Sequence, residues 1–520
     1  MEYTIDLLII NGNIATMDNS LPHADAIAVD KGRILAVGKT SELQVLYSSA
    51  RKIINLQGRF LCPGFYDTHT HLIAISAKFE DVLLDKVKSP SEAIAKIKER
   101  VNSTPVGKWI FGEGWDESDW EEKRYLKLEE LDAIAPKNPC FIRRICGHLA
   151  AVNTLALKEL EIDFNDPDLP KDNTGKPSGI ITDTLIDRLS DSSKLKKSQE
   201  DLNNAVKTAC HYAHTLGVTS VTDNLSIYGL RAYQEAWKKG ELKLRIYANI
   251  PRNTFENFLA TGIKTGFGNE FLKIGGVKIF TDGSLGARTA ALKEPYFDDP
   301  TAKGGFYIEK DVFYSTIEKA IENNWQTATH AIGDEAIDWV LEAFERIPDK
   351  EKVVKGRHRI EHAEFLLENQ LQRAIKLGII LSMQPNFPGR WGQPGQLYEI
   401  RLGSERYKLL NNFRRILDEK TKVCFGSDNM PMSPIFGMYS VIAHPIENIR
   451  INAYEALYHF TLGAAFSSFE ENIKGSIEKG KVADFVVLSK DLLKTSPEEI
   501  NKIEVLMTIF NGEVVFEKAS

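Results

Sequence analysis

Residues 63–71 read Pro-Gly-Phe-Tyr-Asp-Thr-His-Thr-His, an apolar strand that ends in two imidazoles. A strand's two-residue period points His69 and His71 to the same side, so both can converge on one cation. Two polar residues bonded to backbone at a strand end would look the same, and the rest of the chain has to decide between them. Seven further short, apolar, β-branched runs follow at 218–223, 244–250, 272–281, 326–330, 358–362, 378–384 and 422–427, making eight candidate strands with 60–69. Most are separated by a helix of suitable length. That alternation is the pattern of a parallel sheet covered by helices, and eight such units make the α/β fold known as a (β/α)8 TIM barrel.

The ends of the chain read differently. Residues 3–18 alternate around Asn11-Gly12, 24–39 turn at Asp30-Lys31-Gly32, and 482–489 and 503–517 are again strand-like, the last turning at Asn511-Gly512. Neither end has enough strands to bury a face alone, so 1–58 and 475–520 are expected to form one small composite β-sandwich around a barrel at 59–474. A barrel repeat averages roughly 30 residues, so the gap after the first strand must hold an insertion of about 100 residues. This insertion, about 73–200, is expected to act as a lid or substrate subdomain over the mouth of the barrel.

With 520 residues, 43% hydrophobic, 26% charged and a net charge of −7, the chain can bury a large core and lacks the basic excess that draws proteins to nucleic acid or anionic membranes. Glu2, Asp6, Asp18, Asp25 and Asp30 make the first thirty residues unlike a signal peptide, and no run approaches the roughly 18 apolar residues of a membrane span. The five cysteines, Cys62, Cys140, Cys146, Cys210 and Cys424, include no Cys-x-x-Cys pair and read as reduced, structural thiols. A cytoplasmic location and a small-molecule substrate are expected, nucleic acid and membrane are not, and a homodimer is one assembly left open.

His330 ends the fifth strand, His362 the sixth in Arg-Ile-Glu-His-Ala-Glu, and Asp428 follows the eighth in Val-Cys-Phe-Gly-Ser-Asp. Singly, each histidine could be a satisfied core residue and Asp428 a helix N-cap. Together with His69 and His71 they occupy the strand ends where this fold places its chemistry, and four imidazoles plus a carboxylate suit a divalent metal. Lys278 interrupts the buried-type strand Leu-Lys-Ile-Gly-Gly-Val-Lys-Ile-Phe. Beside a metal its ammonium would suffer desolvation and like-charge repulsion, so it must be neutral or modified unless it reaches water or pairs with Asp282. A neutral amine can take up carbon dioxide as a carbamate, which turns the unwanted cation into a bridging carboxylate.

The strings at 63–71, Val-Lys-Ile-Phe-Thr-Asp-Gly-Ser-Leu-Gly-Ala-Arg-Thr-Ala at 277–290, His-Ala-Ile-Gly-Asp at 330–334 and Gly-Ser-Asp at 426–428 resemble the amidohydrolase superfamily. Within it they look most like the amidohydrolase-3 group of YtcJ-like proteins and N-substituted formamide deformylases. The resemblance runs nearly the full length. It implies a metal-dependent hydrolase that cleaves a C–N bond of an amide-like small molecule. His69, His71 and Asp428 would hold one metal, His330 and His362 a second, and carbamylated Lys278 would bridge the pair, commonly zinc. Asp428 would also shuttle the proton of the attacking water.

The resemblance further places Trp115 and Asp116 in Gly-Glu-Gly-Trp-Asp, His148 in Cys-Gly-His-Leu-Ala-Ala-Val-Asn, and Asp282, Ser284 and Arg288 near the substrate, with loop packing as the alternative for each. The competing functions are other hydrolyses on the same site, namely deamination, cyclic-amide opening and carbamate or ester cleavage, or a non-catalytic regulatory barrel.

Overall fold

The structure, a computed structural model, describes residues 4–76, 81–117, 120–144, 149–182, 185–186, 189, 199–226 and 229–519. It divides into two compact units, Met1–Leu72 with Ala209–Ser520, and Ile73–Thr208.

In the first unit eight parallel strands lie side by side in chain order: β1 (Phe65–Thr70), β2 (Val218–Asn224), β3 (Arg245–Pro251), β4 (Leu272–Phe280), β5 (Thr327–Ala331), β6 (Arg359–His362), β7 (Ile380–Met383) and β8 (Val423–Phe425). Seven of them match runs expected from sequence and β1 matches the second half of the remaining run, 60–69, and they are almost wholly buried because helices cover one side and the barrel interior the other. The helix Asp334–Arg346 shows how the covering works. Ala336, Ile337, Val340, Leu341 and Phe344 recur at helical spacing and are buried, with Asp334 and Glu335 in the first turn and Arg346 in the last. β1 and β8 meet where the Thr68 hydroxyl donates to the Phe425 carbonyl and the Asp428 N–H to the His69 carbonyl, both at 2.8 Å, which nearly closes the barrel. Gly426 permits this approach, since a Cβ there would lie 2.7 Å from the His69 nitrogen.

The first expected strand, 60–69, proves to be two. Phe60–Pro63 pairs antiparallel with Phe485–Leu488 in a six-stranded sheet, and only after Gly64 does the chain enter the barrel as β1. Gly64 passes so close to β2 that a Cβ would meet the Thr219 hydroxyl at 2.3 Å. The six-stranded sheet draws Asn13–Ala15 and His23–Ala24 from one end of the chain and Val505–Phe510 and Glu513–Glu517 from the other. A four-stranded sheet built on Ile5–Ile10 shares a core with it, in which Leu7, Ile9, Ile27 and Val29 meet Leu61, Phe485, Val487 and Ile509. Leu8, Ile10, Ala26 and Ala28, on the alternate face, pack instead beside Leu43 and Leu46.

The second unit holds a five-stranded sheet in the order Ile180–Thr182, Leu149–Val152, Cys140–Arg144, Ile110–Trp115, Val82–Leu83. Alternation divides its core: Ile110, Trp115, Cys140, Ile142 and Ala151 pack on one face, and Phe141, Ala150, Val152 and Ile181 on the other. The four described cysteines, Cys62, Cys140, Cys210 and Cys424, are buried free thiols, and Cys146 lies outside the described residues. Among the described residues no helix is long and apolar enough to cross a membrane.

Candidate metal centre

Because all eight strands run the same way, their C-terminal ends gather side chains that are far apart in sequence. His69, His71 and Asp428 each offer a ligand atom, and these atoms lie within 4.8 Å of one another. Asp428 Oδ1 stands 3.5 Å from His71 Nε2 and 3.8 Å from His69 Nε2, while Lys278 Nζ is 3.2 Å from His69 Nε2. The His362 ring centres 4.9 Å from His69 and 4.4 Å from His330. All six residues named from sequence for the metals are therefore brought together.

The backbone is contorted where it delivers them. Regular alternation would put His362 on the opposite face from Glu361, but φ is +75° at His362 and +50° at Ala363, and the ring turns toward its neighbours. Asp428 and Asn429 also have positive φ, at +50° and +61°. Non-glycine residues pay for that conformation, and such strain collects at functional sites. The loop is pinned by Asp67, which accepts from the Ser427 N–H at 2.9 Å, the Ser427 hydroxyl at 2.5 Å and the His69 N–H at 3.2 Å.

The ring nitrogens are sorted for ligation. His69 Nδ1 meets Glu361 Oε2 at 2.5 Å, His330 Nδ1 meets Asp282 Oδ1 at 3.1 Å, and the His71 ring donates to the Asn224 carbonyl. An acceptor behind Nδ1 places the proton there and leaves Nε2 as a lone pair. His362 Nδ1 is buried with no hydrogen-bond partner among the described residues, a cost that a metal would remove. Burial, with Lys278 adding to it, lowers His69 to about 3 and His71 to about 4, and burial holds His362 well below its ordinary value, so these three imidazoles are in the neutral form that binds metal. Burial also brings Lys278 down to about 8 against the pull of Glu361 and Asp428. It raises Asp428 to about 7, opposed by Lys278. This donor set fits one or two divalent cations.

Residues expected to touch substrate fare differently. Asp282 is buried and already accepts from His330, Ala291 N–H, Ile332 N–H and Gly333 N–H, so it supports a candidate ligand. Trp115 is fully buried in the core of the second unit, its indole N–H donating to the Ile142 carbonyl and its ring stacked on Trp120. Its apolar bulk and single donor are thus both used in packing. Asp116 is ion-paired with Arg144 at 2.8 Å, and Arg288 with Asp298 at 2.8 Å. The Ser284 hydroxyl accepts from Ala287 N–H within its own turn. His148 lies outside the described residues.

Glu361 went unnoticed in the sequence. The signal for it lies in Arg-Ile-Glu, where two opposite charges two apart on an otherwise apolar strand must share its inner face. Although burial opposes it, Arg359 and His69 hold Glu361 well below the usual carboxylate range.

Residues 52–516 match the family model described as "Amidohydrolase family". The chain is 32% identical to "Putative amidohydrolase YtcJ" of Bacillus subtilis, covering 98% of this chain and 99% of that protein. It is 26% identical to "N-substituted formamide deformylase" of Arthrobacter pascens, over 99% and 98%. A crystal structure of an uncharacterized metal-dependent hydrolase from Pyrococcus furiosus superposes with a TM-score of 0.81 at 30% identity, covering 94% of this chain and 100% of that one.

Proposed function

The chain belongs to the amidohydrolase family, and from that premise we propose that it hydrolyses a C–N bond, amide or formamide-like, in a small molecule. The observation that carries the proposal is the convergence of His69, His71, Lys278, His330, His362 and Asp428 at one end of the barrel. The similarity to a protein named N-substituted formamide deformylase supports the choice of bond.

His69, His71 and Asp428 would hold one cation and His330 and His362 a second, with zinc the expected metal. Two such ions supply a water of lowered pKa and a polarised substrate carbonyl. The neutral form of the Lys278 amine would add to carbon dioxide, forming an N–C bond and releasing one proton to solvent, and the resulting carbamate would supply an anionic ligand where the neutral amine stood. Asp428 takes a proton from the attacking water as the C–O bond forms and returns it to the leaving nitrogen as the C–N bond breaks, so the products are a carboxylic acid and an amine.

Metal analysis of purified protein followed by N-formyl, N-acyl and lactam substrates tests this. Metal-dependent release of acid and amine is expected. Ammonia from an amino-substituted ring would instead indicate a deaminase, and stoichiometric metal without turnover on any substrate would indicate a regulatory barrel.

A further inference from the structure

We infer that Arg359 and Glu361 are positioning residues for the metal centre, and that each half of the centre has its own buried carboxylate. The inference rests on the ligand assignment proposed above. Arg359 and Glu361 alternate with Ile360 on β6, and both are fully buried in the barrel. Arg359 Nη2 donates to the Thr68 carbonyl at 2.7 Å, the Ser382 hydroxyl at 2.8 Å and Glu361 Oε2 at 3.1 Å, and Nη1 reaches the Thr222 hydroxyl at 3.4 Å. One guanidinium thereby ties β1, β2 and β7 to its own strand and fixes the carboxylate that meets His69 Nδ1.

Stability alone is a poor reason for this pair. Burying both charges costs about what their attraction returns, and apolar side chains of similar volume would fill the space as well. What only the carboxylate supplies is a fixed acceptor that keeps the proton on His69 Nδ1 and aims Nε2 at Lys278 and Asp428. Asp282 does the same for His330, but it is held by the backbone N–H groups of Ala291, Ile332 and Gly333 in the segments after β4 and β5. One support is built from side chains of the barrel core and the other from loop backbone, so removing each should weaken a different metal.

The test is equilibrium dialysis of the full-length, metal-stripped protein against Zn2+ alone, with thermal unfolding of the metal-free form. Glu361→Gln is expected to weaken one equivalent about 10- to 100-fold, Asp282→Asn the other, and their combination both. Glu361→Asp, which keeps the charge, should recover part of the loss. Because Glu361→Gln strands the Arg359 charge, the double variant Arg359→Met/Glu361→Gln is the safeguard: it should fold as well as wild type yet still bind the first Zn2+ weakly. Wild-type Zn2+ binding by the double variant, both single variants weakening the same equivalent, or failure of every Glu361 variant to fold would overturn the inference alone. Wild-type protein that takes up no Zn2+ would overturn the ligand assignment and this inference with it.

Discussion

The terminal sheets and the mouth of the barrel are both buried, yet they obey opposite rules. Between the sheets the interior is Leu7, Ile9, Ile27, Val29, Phe485 and Val487, apolar residues at a strict two-residue period. At the mouth, the buried His69, Lys278, Glu361 and His362 crowd together with the half-buried Asp428, and His362 and Asp428 have positive φ. The first region is what stability requires. The second is what stability opposes, and titratable groups gathered at such cost are what a functional site looks like.

That contrast can be broken by substitutions whose effects should fall on rate in one region and on stability in the other. Lys278→Ala should have the largest effect, removing turnover and bound metal with partial recovery in short carboxylic acids that can stand in for the bridge; mass spectrometry of the metal-loaded protein showing an unmodified amine at Lys278 would defeat the bridging role. Asp428→Asn should keep much of the metal yet lower kcat by about two orders of magnitude or more, and steady-state kinetics at near-normal rate would remove Asp428 as the proton carrier. Trp115→Phe, which leaves the Ile142 carbonyl without its donor, should cost about 1–3 kcal/mol in denaturant unfolding and leave KM unchanged. A raised KM with unchanged stability would return Trp115 to the substrate. Ile9→Val, between the sheets, should cost about 0.5–1.5 kcal/mol with kcat intact. If it slowed turnover of the folded protein, the division between the regions would fail.

The same contrast explains what could be read from the sequence. The barrel strands were legible because a strand buried on both faces has to be a short apolar run, and the residues that converge at their ends because polar groups there are conspicuous. The boundary at Gly64 was not, since Phe60–Pro63 and Phe65–Thr70 are equally apolar and only their partners, Phe485–Leu488 and Val218–Asn224, tell them apart. The resemblance placed Asp282 near the substrate. Its bonds to His330 and to the N–H groups of Ile332 and Gly333, fixed only in three dimensions, could not be read from the sequence. Glu361 escaped for a related reason: the residue it meets, His69, sits on a strand 292 residues away.

The pairing of Phe60–Pro63 with Phe485–Leu488 also sets a timetable. The strand that leads straight into His69 leaves the ribosome long before its neighbour, Phe485–Leu488, has been made. Long-range pairing of this kind is slow and leaves a strand edge exposed until it is completed. Shortening the chain before residue 485 should therefore yield a protein whose unpaired β-edge invites aggregation, even though every residue assigned to the metals is present.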